Sequence, residues 1–168
     1  MYLSHLALTN YRNFSHMELD MPSGLVFVLG ANAQGKSNLL EAAYLLAIAK
    51  SYRTNTEREL IHRDALQETD ALTEVSPIRP GSPGLSTPTS RGMSEASSDR
   101  TGFGSGQALI TGEAEVKDGH LRVIVGLQAT AGEGGGGWLV KKQIRVNGVT
   151  TTASGLVGRL NAVLFTAT

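Results

Sequence analysis

Gly30-Ala31-Asn32-Ala33-Gln34-Gly35-Lys36-Ser37 satisfies the pattern G-x-x-x-x-G-K-[ST], and no other feature of the chain restricts its fold so narrowly. Glycine lets the backbone turn sharply, so that successive N–H groups face a polyphosphate. A helix that starts at the loop adds the positive end of its dipole to the same site. Lys36 is then placed to reach the β- and γ-phosphates, and the Ser37 hydroxyl to take one position on Mg²⁺. The flanks suit this geometry. Leu25-Val26-Phe27-Val28-Leu29 is a continuous apolar run and predicts a central strand buried on both faces. Residues 36–50, rich in Leu and Ala, predict a helix packed within an α/β layer. With Gly near 7% of typical usage, an accidental match in a chain of this length has a probability of roughly one per cent. The sequence therefore points to a P-loop with a nucleoside triphosphate as ligand, bound by Gly30, Ala31, Asn32, Ala33, Gln34, Gly35, Lys36 and Ser37.

Around this unit the pattern is mostly β. Tyr2 to Thr9 and His16 to Met21 read as two strands joined through Asn10-Tyr11-Arg12-Asn13, an antiparallel pair. Glu57 to Asp64 suits one or two helical turns. Residues 74–106 contain 8 Ser, 6 Gly and 4 Pro among 33 residues, too little apolar surface to offset ordering entropy, and are expected to be a disordered insertion. Loop-closure cost grows only logarithmically with length, so the rest of the fold should tolerate it. Ala108 to Val116, Leu121 to Leu127 and Trp138 to Val146 then alternate as strands. Asp118-Gly119 and Asn147-Gly148 are hairpin signals, and a meander of about four antiparallel strands results. Leu156 to Phe165 reads as the start of a helix followed by a strand. The expected organisation is one partial domain over 1–168: a P-loop portion at 1–65, the insertion at 74–106, and the meander with the start of a further element at 108–168.

The 168 residues balance 15 Lys+Arg against 15 Asp+Glu, which argues against polyanion binding through bulk charge. The balance hides a split. Residues 1–56 carry 4 basic and 3 acidic groups, 57–116 carry 5 and 10, and 117–168 carry 6 and 2. The absence of cysteine removes any disulfide framework and makes a reducing cytoplasm the expected setting. The longest apolar stretch, near residues 39–49, is interrupted by Glu41 and too short to span a bilayer, so no membrane is expected as a partner.

Hydrolysis needs more than the loop: an acidic residue at the end of a second apolar strand to hold Mg²⁺, and a group that orients water. Neither is evident. Leu121-Arg122-Val123-Ile124-Val125 ends in Gly126, and Ala162-Val163-Leu164-Phe165 ends in Thr166. Glu113 and Glu115 alternate along one strand and fit a solvated face better than a metal site. No catalytic residue is assigned.

Leu8-Thr9-Asn10-Tyr11-Arg12-Asn13-Phe14, the loop with Asn38-Leu39-Leu40-Glu41-Ala42 after it, and Lys50-Ser51-Tyr52-Arg53-Thr54 occur in the order found at the start of the bacterial RecF family, which the chain closely resembles. Arg145-Val146-Asn147-Gly148 and Leu160 to Phe165 resemble later segments of that family. The resemblance implies an α/β P-loop NTPase of ABC/SMC type. Its head lobe I would set an antiparallel β-meander beside a buried β-loop-α unit. It also implies ATP and Mg²⁺ as cofactors, an ATP-dependent homodimer, and binding of single-stranded and duplex DNA. The setting it implies is gap repair and the SOS response, with RecA-loading proteins as partners. It places Arg12 and Asn13 near the nucleotide as secondary site residues, and Arg53 near DNA or a phosphate.

The departures from that family are specific. A full RecF should continue for about as many residues again, with a signature motif and an acidic strand. Here Thr166-Ala167-Thr168 stands where the family usually has a Pro-Glu-Asp-like sequence, from which a truncation or a reading-frame change is expected. Phe103-Gly104-Ser105-Gly106-Gln107 is similar to the ABC signature but precedes a strand instead of opening a helix. Lys141, Lys142, Arg145 and Arg122 form the basic set for DNA, with Lys141 and Arg145 on one strand face and Lys142 on the other. Two other readings stand beside this one: a P-loop phosphotransferase acting on a small molecule, and a remnant that binds nucleotide without turnover. The first would need an arginine-bearing lid, whereas residues 108–150 are spent on the meander.

Overall fold

The computed structural model describes residues 1–67, 106–117, 119–131 and 137–163. One six-stranded antiparallel sheet organises them, in the order β2-β1-β3-β4-β5-β6. Its strands are β1 (Tyr2–Tyr11), β2 (Phe14–Asp20), β3 (Gln107–Val116), β4 (Gly119–Ala131), β5 (Trp138–Val146) and β6 (Val149–Thr151). The meander expected after residue 107 is β3 to β6. It joins the N-terminal hairpin edge to edge through β1 and β3, where Leu6 faces Gly112 and Leu8 faces Ile110.

Strand alternation sets the inner face. Leu6 and Leu8 of β1, Ala108, Ile110 and Ala114 of β3, Leu121, Val123, Val125, Leu127 and Ala129 of β4, and Ile144 of β5 are buried. Helix α1 (Lys36–Ile48) covers that face with Ala42, Leu45, Leu46 and Ala47. Its close approach depends on Gly112: a Cβ there would lie 2.3 Å from Leu46 Cδ1. The helix ends at Ala49, which takes a left-handed φ of 55° while its N–H bonds to the Leu45 carbonyl. A 3₁₀ turn (Glu57–Leu60) follows within the segment 57–64 where one or two turns were expected, and a helical stretch over 63–67 runs past its end. At the far edge, the Asn147-Gly148 turn has φ values of 48° and 82°, the two positive values a two-residue hairpin loop requires.

Three expectations need correction. Residues 25–29 do not form a strand, and they are not buried: Leu25 is 80% exposed, Phe27 75% and Leu29 88%. A central strand needs main-chain partners on both sides. Among the described residues none pairs with this run, so the β-part of the β-loop-α unit keeps its apolar sequence without its ladder. The C-terminal helix starts earlier than expected, at Ala153–Leu156 with Thr152 Oγ1 capping the Gly155 N–H. Residues 161–163 are not a strand. The expected insertion at 74–106 lies outside the described residues except for Gly106; so do Asp118 of the first hairpin signal, most of the signature-like segment at 103–107, and the last residues of the expected strand, 164–165.

Candidate functional site

Residues 30–37 fold as a compact bend that runs directly into α1. Ala33 at φ 65° and Gly35 at φ 93° are left-handed, the conformation from which backbone anion nests are built. Lys36 folds back across the bend: its Nζ donates to the carbonyls of Gly30 at 2.7 Å and Ala31 at 2.6 Å. The ammonium thus sits over the loop instead of out in solvent. No acidic side chain lies in the first turn of α1, and residues 31–34 and Ser37 are exposed, so the positive end of the helix is open to an anion. Among the described residues the Ser37 hydroxyl has no hydrogen-bond partner and is free to ligate a cation.

Next to the loop lies a buried ionic cluster. Glu41 is 0% exposed in the middle of α1. Arg12 grips it with one edge of its guanidinium, Nε to Oε2 at 2.9 Å and Nη2 to Oε1 at 2.7 Å, while its Nη1 donates to the Glu59 carbonyl at 3.0 Å. The Ser51 hydroxyl donates to the same carboxylate, and Arg53 Nη1 lies 3.7 Å from Oε2. Burial alone would raise the Glu41 carboxyl; hydrogen bonds from Arg12 and Ser51, with the charges of Arg12 and Arg53, overcome it and hold it below its ordinary value. The Tyr11 hydroxyl, buried beside this group, has no hydrogen-bond partner among the described residues. Burial first, and the charge of Glu41 second, push that hydroxyl far up.

The cluster connects to the loop. Arg53 Nη1 donates to Asn38 Oδ1 at 2.6 Å, and Asn38 Nδ2 to Asn13 Oδ1 at 2.8 Å. The Asn13 amide abuts Gly35, where a Cβ would fall 2.6 Å from Nδ2. Arg12, Asn13, Asn38 and Arg53 also wall an open cavity of about 890 Å³, closed on its other side by residues from Thr56 to Leu66. Arg12 and Asn13, which the resemblance implies lie near a nucleotide, thus stand beside the loop. Asn10, near the end of β1, and Arg12, in the turn that follows, are left-handed, at φ 50° and φ 53°.

Glu41 and Ser51 were not singled out from sequence. Their signal was faint but present: a lone carboxylate inside an apolar helical run needs a partner, and Arg12 and Arg53 were the nearby candidates. The basic set of the C-terminal third is dispersed. Lys141 and Arg145 are exposed on the outer face of β5, whereas Lys142 turns inward and donates to the Ala49 carbonyl at 3.0 Å and to Glu57. Arg122 pairs with Glu113 at 3.5 Å, and Glu115 with His120 at 3.0 Å, as solvated cross-strand pairs. Trp138 is half-buried, with the Arg58 guanidinium 4.8 Å from its ring centroid.

Residues 1–70 match a family model described as an AAA domain. The DNA replication and repair protein RecF of Geobacillus thermodenitrificans is 52% identical over 61 residues, 36% of this chain and 16% of that protein. RecF of Bacillus subtilis is 50% identical over 64 residues, 38% of this chain and 17% of its own length. A solved structure described as the recombination mediator protein RecF-ATP in the RecFOR pathway superposes over 98% of this chain with a TM-score of 0.64 and 23% identity. The fold is that of RecF. A second RecF structure, with ATPrS, gives a TM-score of 0.62 at 22% identity, and this chain covers 32% of each solved RecF chain. The sequence likeness to RecF lies in the N-terminal part, the region that contains the loop, Arg12 and Glu41, while the structural likeness extends through the meander. Among the described residues no helix is long and apolar enough to cross a membrane.

Proposed function

We propose that this chain is the ATP-binding portion of a RecF-type DNA replication and repair protein. The observation that carries the reading is the bend at 30–37, with Lys36 Nζ folded over the Gly30 and Ala31 carbonyls at the open end of α1. There the loop amides and Lys36 would hold a triphosphate. The adjoining cavity, about 890 Å³ and within the range of small-molecule sites, would take the base and sugar beside Arg12, Asn13 and Asn38. Ser37, exposed and unpartnered among the described residues, fits one ligand position of Mg²⁺, which when bound would neutralise part of the phosphate charge.

In the whole protein, ATP-dependent dimerisation would control association with single-stranded and duplex DNA in the cytoplasm, in gap repair and the SOS response alongside RecA-loading proteins. The 168 residues alone would bind nucleotide without turning it over, since no residue is assigned to orient the attacking water.

The direct test is a melting curve with and without millimolar Mg-ATP, for wild type and Lys36→Ala. Wild type should be stabilised; Lys36→Ala should fold but show no nucleotide-linked shift, because Lys36 serves phosphate charge and not packing. Equal shifts in both proteins contradict the reading. ATP hydrolysis should be indistinguishable from buffer, and a clear Mg²⁺-dependent rate would reveal a missed catalytic acid.

A further inference from the structure

The wall of the cavity beside the loop is anchored at two places. On the β1 side, the Arg12 N–H donates to the Leu60 carbonyl at 2.9 Å, Arg12 Nη1 to the Glu59 carbonyl at 3.0 Å, and the His62 N–H to the Asn10 carbonyl at 2.8 Å. The other anchor is β5, three places away in the sheet. There Lys142 Nζ donates to Glu57, the first residue of the 3₁₀ turn, and the Trp138 ring meets the Arg58 guanidinium at 4.8 Å. The inner face of β5 is otherwise apolar: Trp138, Val140, Ile144 and Val146 alternate with exposed Leu139, Lys141, Gln143 and Arg145. Lys142 alone breaks that pattern. Its half-buried stem gives the sheet no packing that a methionine would not give. What its ammonium adds is a hold on Glu57 and on the Ala49 carbonyl at 3.0 Å, at the C-terminal end of α1, where the helix dipole favours a cation and the last turn supplies none. One side chain thus joins α1, whose other end carries the loop, to the turn that brings Arg58 and Glu59 into the cavity wall. Lys142 and Glu57 themselves lie outside that cavity, in a separate recess with Leu45, Ile48 and Ala49, so their effect on a bound molecule would pass through the turn.

We propose that Lys142 is a positioning residue: by pinning Glu57 to the C-terminal end of α1 it holds the 56–60 wall of the cavity in place for the base and sugar of a bound nucleotide, and leaves the phosphates to the loop. This rests on the nucleotide-binding reading above, in which the loop and Lys36 take the triphosphate and the cavity takes the nucleoside. A charge-assisted contact of this kind fixes a short turn that its own two backbone bonds, Glu59 N–H to the Thr56 carbonyl and Ile61 N–H to the Arg58 carbonyl, leave free to move as a unit.

The two contributions separate when ATP is compared with inorganic triphosphate, which offers the loop its phosphates without a nucleoside. Dissociation constants for both, with Mg²⁺, are measured on the whole chain as wild type, Lys36→Ala, Lys142→Met and Glu57→Gln. Loss of one charge-assisted hydrogen bond should weaken ATP binding by Lys142→Met about fivefold or more and triphosphate binding less than about twofold. Glu57→Gln removes the same pair from its more exposed partner and should split the two ligands in the same way. Lys36→Ala should weaken both. Equal factors for the two ligands in Lys142→Met overturn the proposal, and so does Glu57→Gln without the split; if Lys142→Met does not fold, Glu57→Gln decides alone. Wild type that binds triphosphate as tightly as ATP overturns it too, because the cavity then contributes nothing. Failure of wild type to bind either ligand, or undiminished binding by Lys36→Ala, sinks the underlying reading instead.

Discussion

Gly35→Ala separates the conformation of the loop from the stability of the fold. Gly35 has φ 93° and ψ 7°, outside the region an L-residue adopts without strain, at a cost of about 1–3 kcal/mol. The added Cβ would also stand 2.6 and 2.8 Å from the Asn13 amide and 2.8 Å from Phe14 Cζ. Phe14 packs against the core and Asn13 is tied to Asn38, so neither is the free end of a flexible chain. Residues 31–34, by contrast, are exposed. The easiest relief is for the loop to flatten, which protects the fold and scatters the amides. Ligand at 100-fold over Kd stabilises a protein by about 2.7 kcal/mol, which for a domain of this size is roughly 5–11 °C. Wild type should show that shift by differential scanning fluorimetry with Mg-ATP, and Gly35→Ala about a third of it or less, because the loss of ~2 kcal/mol of binding lowers the ligand excess from 100-fold to roughly threefold over Kd. Gly148→Ala is the control: its φ of 82° carries similar strain, yet nothing lies within 4 Å of the added Cβ and the turn is remote from the loop. It should lower the unliganded Tm and keep the full ATP shift. A Gly35→Ala protein with a wild-type ATP shift would refute the reasoning.

Other expectations follow from single observations. Gly112→Ala drives a Cβ to 2.3 Å from Leu46 Cδ1 and 3.2 Å from Leu3 Cδ1, and should cost about 1–3 kcal/mol in denaturant melts by prying α1 from the sheet. The Glu41 carboxyl is held below its ordinary 4.5, so its stabilisation is present above that value and is lost as pH falls through the lower folded value. The acid limb of the wild-type Tm profile should therefore be steeper than that of Glu41→Gln, and parallel limbs would argue against the ion pair. Phe27→Ser, at a position 75% exposed, should leave unliganded stability within about 0.5 kcal/mol and reduce self-association seen by light scattering. A large loss of stability there would mean that residues 25–29 are buried after all.

Most local structure was legible because local causes set it. Asn147-Gly148 supplies the two positive φ values of a tight hairpin, and the alternation from Leu121 to Ala129 lands Leu121, Val123, Val125, Leu127 and Ala129 on one face. The helix after the loop was readable for a different reason: its Leu and Ala content leaves it few other conformations. The pairing of β1 with β3 joins residues about a hundred positions apart, and no local pattern encodes which strand edge another will choose. The same limit explains the misreading at Leu25 to Leu29. Five apolar residues in a row specify a wish to be buried on two faces, but burial and a ladder require neighbours, and among the described residues those neighbours are missing.

The candidate site shows the complementary limit. The loop announces itself because its geometry is made by the residues that compose it, whereas Glu41 acquires meaning only when β1, α1 and the segment after it converge. Arg12 comes from a hairpin turn, Glu41 from the second turn of the helix, Ser51 and Arg53 from the chain beyond its C-terminus. Each alone is an ordinary surface or helix residue. Together they place two guanidiniums at one carboxylate, and Asn38 and Asn13 carry the contact on to Gly35. A shift of α1 along its axis would thus move the loop and both arginines as one body, because Lys36 and Glu41 stand on the same helix. Phosphate affinity and the packing of α1 against the sheet are coupled through that rigid element. Gly112→Ala, which displaces α1 from the far side, should on this argument weaken Mg-ATP binding as well as stability, although it touches no residue of the site. Full retention of ATP affinity in folded Gly112→Ala protein would show that the loop and the cluster adjust independently.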